Sequence, residues 1–236
     1  AIISGRLRRE FRDDSDMRVS PESIYQWVYD DAASGGQLFQ HLWQRRHRRI
    51  GFRSRLPAHS RIPARVDITQ RPEVVDQRSR VGDWEGDTVV GRKGRGGVVT
   101  HLERMSRFLV AGRIRNKRAD TFAAKTKRLL GWVPESLCHT LTLDNGTENA
   151  AHESIAEAKA MDVYFAHPHA SWQRGANEQV NGLIRRYFPK GTDFRKVTDE
   201  QIDEVVLKIN QRPRKCLNYQ SPYEVFAEAL RGALAT

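Results

Sequence analysis

The sequence predicts an α/β domain on a mixed sheet, preceded by a small helical segment and a basic connector. Three observations carry that expectation. β-branched and apolar runs at 84–90, 98–103 and 108–114, then at 141–144 and 163–166, have strand length, with helical periodicity between and after them. A hydrophobic content of 39% in 236 residues supports a packed core. Residues 1–44 show helical spacing only, and an arginine-rich stretch divides them from the rest.

Composition bounds the partner. The formal charge is +11, which suits a polyanion, either nucleic acid or an anionic membrane surface. No apolar segment is long enough to span a bilayer. The opening AIISGRLRRE lacks the apolar stretch of a signal peptide, and Ala1 in place of Met points to a truncated or processed chain. Cys138 and Cys216 stand alone without metal-ligand spacing, as in a reducing cytoplasm.

In the first 44 residues, Ser20-Pro21 marks a helix start: a side-chain cap, then a proline in the first turn. Ile24, Trp27 and Val28 follow at helical spacing. Gly35-Gly36 interrupts the pattern, and Leu38, Phe39, Leu42 and Trp43 resume it. Helix, break, helix with basic flanks fits the end of a helix-turn-helix DNA-binding module; the alternative is a helical hairpin that only packs. Residues 45–65 then hold eight arginines and no acid. Pro57 and Pro63 disfavour helix there. Arg45, Arg46, Arg48, Arg49, Arg53 and Arg55 are candidate phosphate contacts, because guanidinium forks suit phosphate. The bland alternative is a solvated linker. The expected division is 1–44 helical, 45–77 connector and 78–236 catalytic domain.

Within the third part, GRKGRGG at 91–97 joins the first two strands as a hairpin tip. No helix follows, which excludes a phosphate-binding loop of the strand–loop–helix type. A helix is expected from about Ala119 through Phe122, Thr126, Leu129 and Leu130, and another over 152–161. Two amphipathic helices close the chain, one through Ile202, Val205, Val206 and Ile209, the other through Val225, Phe226, Ala229 and Leu230 after Ser221-Pro222.

Three acids stand out. Asp87 lies in or beside the first strand. Asp144 ends the fourth, before the Asn145-Gly146 turn. Glu178 falls on a helix whose polar side carries Arg174, Glu178, Asn181 and Arg185, and whose apolar side carries Val180, Leu183, Ile184 and Tyr187. Singly, each acid reads as a turn, capping or solvated group. Together, on rigid elements, they could hold hard divalent cations while leaving positions for water and phosphate. Glu85 would share a face with Asp87.

Asp87, Asp144 and Glu178, with LTLDNGTEN and SWQRGANEQVNGLIRRYFPKGTDF, resemble the catalytic domain of bacterial insertion-sequence transposases of the DDE type, in the family named after insertion sequence thirty. The resemblance covers roughly residues 78–230, and the run 172–194 is its most specific part. It implies a ribonuclease H-like fold related to retroviral integrase, with Asp87, Asp144 and Glu178 as catalytic metal ligands. It also implies two magnesium or manganese ions, double-stranded DNA as partner (inverted-repeat ends and target), a homodimer or higher oligomer on DNA, and action at the nucleoid. DNA contacts are expected from Arg174, Asn181, Arg185 and Lys190. A nuclease without strand transfer and an inactive DNA-binding regulator are the alternatives.

Overall fold

A computed structural model of the chain describes residues 2–41, 62–168 and 170–235. They divide into two compact units, Ala1–Pro57 with Pro213–Gln220 and Ala58–Arg212 with Ser221–Thr236.

The smaller unit carries α1 (Ile2–Glu10) and α2 (Pro21–Ala33). Ser20 caps α2 as its sequence suggests, its hydroxyl accepting from Ser23 N at 2.9 Å. The helix stops at Ser34, and Gly35 takes a φ of 86° that other residues resist. The expected second helix is a short 3₁₀ turn, Leu38–His41, tied back by Leu38 N donating to Asp31 Oδ2 at 3.0 Å. Leu42, Trp43 and the arginines Arg45, Arg46, Arg48, Arg49, Arg53 and Arg55 lie outside the described residues. Arg6 and Arg9 of α1 donate to the carbonyls of Tyr219 and Asn218 at 3.2 and 3.0 Å, which ties the 213–220 loop to this unit.

The larger unit runs α3 (Glu73–Gln77), β1 (Asp83–Val90), β2 (Gly97–Glu103), β3 (Leu109–Ile114), α4 (Ala119–Leu130), β4 (Thr140–Leu143), α5 (Glu153–Lys159), β5 (Asp162–Phe165), α6 (Gly175–Tyr187), α7 (Asp199–Asn210) and α8 (Pro222–Leu234). The sheet order is β3-β2-β1-β4-β5. β1, β2 and β3 are antiparallel neighbours, while β1–β4 and β4–β5 are parallel. The 91–97 tip turns as expected, with Gly94 and Gly96 at φ of 70° and 77°.

Alternation along the strands sends apolar side chains to two cores. Trp84, Val99, Leu141 and Leu143 pack with Phe122 and Leu130 of α4, Ile155 of α5 and Phe226 of α8. Val89, Val98, Leu102 and Leu109 pack on the other face with Val180, Leu183 and Ile184 of α6 and Ile202, Val205 and Ile209 of α7. Capping boxes start α7 at Thr198 and α8 at Ser221.

Residues 62–77 differ from the connector that the sequence suggests. Ile62, Ile68 and Val75 are buried, Asp67 forms a parallel bridge with Phe165, and Phe165 N donates to Val66 O at 2.9 Å. These apolar residues stand too far apart to show a period, so only packing reveals them.

Candidate active site

β1 has eight residues and β4 has four, so their parallel ladder runs only from Asp83↔Thr140 to Glu85↔Thr142. The same offset continued by two residues sets Asp144 beside Asp87. Both acids thus lie where the ladder opens, toward the carboxyl ends of parallel strands, where α/β sheets commonly bind ligands.

Hydrogen bonds anchor both carboxylates, Asp144 through one oxygen and Asp87 through both. Asp144 Oδ1 accepts from Gly146 N at 2.9 Å and from Asn149 Nδ2 at 2.7 Å. A Cβ at Gly146 would come within 2.9 Å of that same oxygen, which explains glycine in the turn. Asp87 Oδ1 accepts from Thr88 N at 2.7 Å, and Oδ2 accepts from Asn181 Nδ2 at 2.7 Å. Burial pushes the Asp87 carboxyl above the usual range; Arg174 opposes that rise and Asp144 adds to it.

A cation already stands between the two acids. Arg174 Nη1 is 3.8 Å from Asp87 Oδ2, and Nη2 is 3.5 Å from Asp144 Oδ2. Nη1 also donates to Gly86 O at 3.1 Å. One helical span away, Arg185 Nη2 donates to Val90 O at 2.6 Å. Gly86 and Val90 are four residues apart, so their carbonyls leave β1 on the same side. They lie beyond the end of the β4 ladder, and the arginines of α6 satisfy them instead. The polar side of α6 therefore faces the acid-bearing strand. Lys190 is exposed in the loop after α6.

Glu178 sits in the first turn of α6 and is exposed. It does not join the other two: among the described residues no three His, Cys, Asp or Glu form a group that could hold a metal. Glu85, which shares the face of Asp87, is fully buried and committed elsewhere. One oxygen pairs with Arg104, and the other accepts from Asn177 N at 3.0 Å. α6 begins at Arg174 without a side-chain cap of its own, so Glu85 caps the helix from across the sheet. Asp83 is likewise structural, paired with Arg80 at 3.0 Å and accepting from Thr140 Oγ1 at 2.8 Å. Thr100, Asn149 and Asn177 hold the site together and escape a sequence reading; the one signal for Asn149 was its place in LTLDNGTEN.

No family model matches the chain. It is 42% identical over 213 residues to the transposase for insertion sequence element IS4351 of Bacteroides fragilis, covering 90% of this chain and 65% of that protein. It is 37% identical over 230 residues to the transposase for insertion sequence element IS1086 of Cupriavidus metallidurans, covering 97% of this chain and 68% of that one. The chain belongs to the IS30 family of insertion-sequence transposases. Transposase InsI for insertion sequence element IS30A of Escherichia coli is a further relative, 37% identical over 233 residues, with 94% of this chain and 59% of that protein covered. This family member thus spans 59 to 68% of the length of these relatives. The catalytic core domain of BIV integrase superposes with a TM-score of 0.51 at 18% identity, over 64% of this chain and 96% of that one. The fold is therefore ribonuclease H-like, as the resemblance implied.

The donor set of this family member suits a hard divalent cation. Asp87 and Asp144 offer oxygen ligands from adjacent strands, and each already turns an oxygen toward one cationic group. No helix of the described residues is long and apolar enough to cross a membrane.

Proposed function

We propose that this chain is the catalytic part of a DNA transposase, which cleaves double-stranded DNA at the inverted-repeat ends of its element and joins the freed 3′-hydroxyl to target DNA. One observation carries the reading: the carboxylates of Asp87 and Asp144, on adjacent parallel strands, converge on a single cation position. Asp87, Asp144 and Glu178 would hold two magnesium or manganese ions. When bound, the ions supply charge neutralisation at the scissile phosphate and a more acidic attacking oxygen.

The chain's own residues do the positioning. Asn181 orients Asp87, while Gly146 N and Asn149 orient Asp144, so the ligand oxygens are set before substrate arrives. Glu178 would have to move in from the first turn of α6, whose start Glu85 fixes, to complete the set. Water attacks first and the 3′-hydroxyl second, so no serine or tyrosine nucleophile is required. Segment 1–44 and the arginines that follow it, Arg45, Arg46, Arg48, Arg49, Arg53 and Arg55, supply DNA contacts upstream of the catalytic part. Arg174, Asn181, Arg185 and Lys190 add contacts near the acids. The transposase works as a homodimer or higher oligomer on DNA at the bacterial nucleoid.

Incubating the protein with end-labelled inverted-repeat DNA and magnesium tests the reading. Nicks that leave a 3′-hydroxyl, followed by joining to a plasmid target, are expected. Undiminished activity in excess chelator, or no cleavage with either magnesium or manganese, would overturn it.

A further inference from the structure

Arg174 invites a closer account, because it stands where the proposed ligands meet. Its two terminal nitrogens address two different carboxylates, at 3.8 Å from Asp87 and 3.5 Å from Asp144. Both distances are long for charge-assisted hydrogen bonds, which run to about 2.9 Å. The only close bond to a described residue is the 3.1 Å one to Gly86 O. Nε is buried without a partner among the described residues. The guanidinium is thus held by charge rather than by good geometry, although its side chain is only 13% exposed. A group with five donors and one well-made bond is poorly fixed.

We infer that Arg174 is a built-in counter-cation that competes with a divalent metal ion for the Asp87–Asp144 pair. The inference rests on reading that pair as metal ligands. Without a cation between them the two carboxylates would repel each other in a partly buried setting. The guanidinium relieves this repulsion, and its looseness lets a smaller, doubly charged ion displace it. Its attachment favours such a switch: Arg174 lies at the start of α6, outside the regular helix, at φ −127° and ψ 32°. Once displaced, the fork is a bidentate ligand for a DNA phosphate, at the helix end that favours anions. The same charge would pass from carboxylate to phosphate as metal and DNA assemble.

Calorimetric titration of the whole chain with Mn²⁺ alone, without DNA, tests this. Arg174→Gln removes the competing charge, and manganese affinity should rise about tenfold, the order of two partly exposed ion pairs. Arg174→Lys keeps a cation without the fork and should fall between wild type and Gln. Asp87→Asn should lose the binding and so identifies the site. Affinity in Arg174→Gln equal to or weaker than wild type, with Asp87→Asn still abolishing binding, would overturn the competition and leave the metal pair standing. Manganese binding that is absent in wild type and Arg174→Gln alike, or indifferent to Asp87→Asn, would sink both. If Arg174→Gln fails to fold, an Arg174→Lys affinity equal to wild type overturns the inference on its own.

Discussion

The Asn181 amide on α6 and the Asp87 carboxylate on β1 meet at 2.7 Å, so one hydrogen bond joins the helix of one acid to the strand of another. The amide is oriented in turn by Thr100, whose hydroxyl donates to Asn181 Oδ1 at 3.2 Å. Asn181→Ala should cost about 1–3 kcal/mol of stability, as expected for a hydrogen bond to a charged group. It should slow nicking by more than that loss of folded protein explains, because Asp87 Oδ2 loses its alignment. Thermal melts beside single-turnover nicking rates separate the two effects. A wild-type rate in a variant with lowered Tm would show that the bond only stabilises.

Glu85 and Arg104 form a buried ion pair, with Glu85 fully buried and the Arg104 side chain 4% exposed. Glu85→Gln leaves Arg104 with Asp76 at 3.3 Å as its remaining acid and weakens the cap on α6. Breaking one side of such a pair costs about 3–5 kcal/mol. Urea unfolding should show a loss of that order, and nicking should fall because Glu178 follows Asn177 directly. An unchanged urea midpoint would mean the pair contributes no net stability.

His101 gives stability a pH dependence. It is fully buried on β2, beside Thr126 Oγ1 at 3.0 Å and edge-on to Phe122, and burial pushes its pKa from 6.5 to about 3. The unfolded chain therefore takes up a proton between those values and the folded chain does not. The contribution is complete above about pH 6.5 and falls as pH drops toward 3, by about 1.4 kcal/mol per unit within the window. Between pH 6.5 and 5, above most carboxylate titration, His101→Gln should flatten the slope of unfolding free energy against pH. Parallel slopes for variant and wild type would refute a buried neutral histidine.

Much of this was legible because local chemistry and global fold agree. The strand boundaries fall within a residue or two of the β-branched runs, and Ser20, Ser221 and the glycines of the 91–97 tip act as their residue types suggest. Asp144 announced itself by ending an apolar run before a turn. What stayed hidden depends on lengths and partners that no single stretch contains. Spacing put Arg174, Asn181 and Arg185 on one side of a helix. It could not show that this side faces carbonyls stranded because β4 is half as long as β1. Glu85 looked like a companion of Asp87, yet Arg104, nineteen residues on, claims it. Tyr187, expected on the apolar side, is 41% exposed, because it is the last residue of α6 and the core ends before it.

Glu178 offers the sharpest separation of structure from chemistry. It is exposed, and it makes no hydrogen bond or ion pair with another described residue. No described residue pairs with its charge, and the helix N-terminus favours that charge only modestly, so Glu178→Gln should leave stability within about 1 kcal/mol of wild type. DNA affinity should change little as well, since arginine contacts to phosphate dominate it. Cleavage and joining should nevertheless fall by at least about a hundredfold, because loss of even an indirect support to a metal ligand costs ten- to a hundredfold. Calcium, whose looser coordination aligns in-line attack poorly, should support DNA binding by wild type without turnover and so mimic the variant. Melting temperature, gel-shift affinity and nicking rate measured on one preparation suffice. If Glu178→Gln nicks end DNA at the wild-type rate, the third ligand lies elsewhere, and the Asp87–Asp144 pair must complete its site with another group.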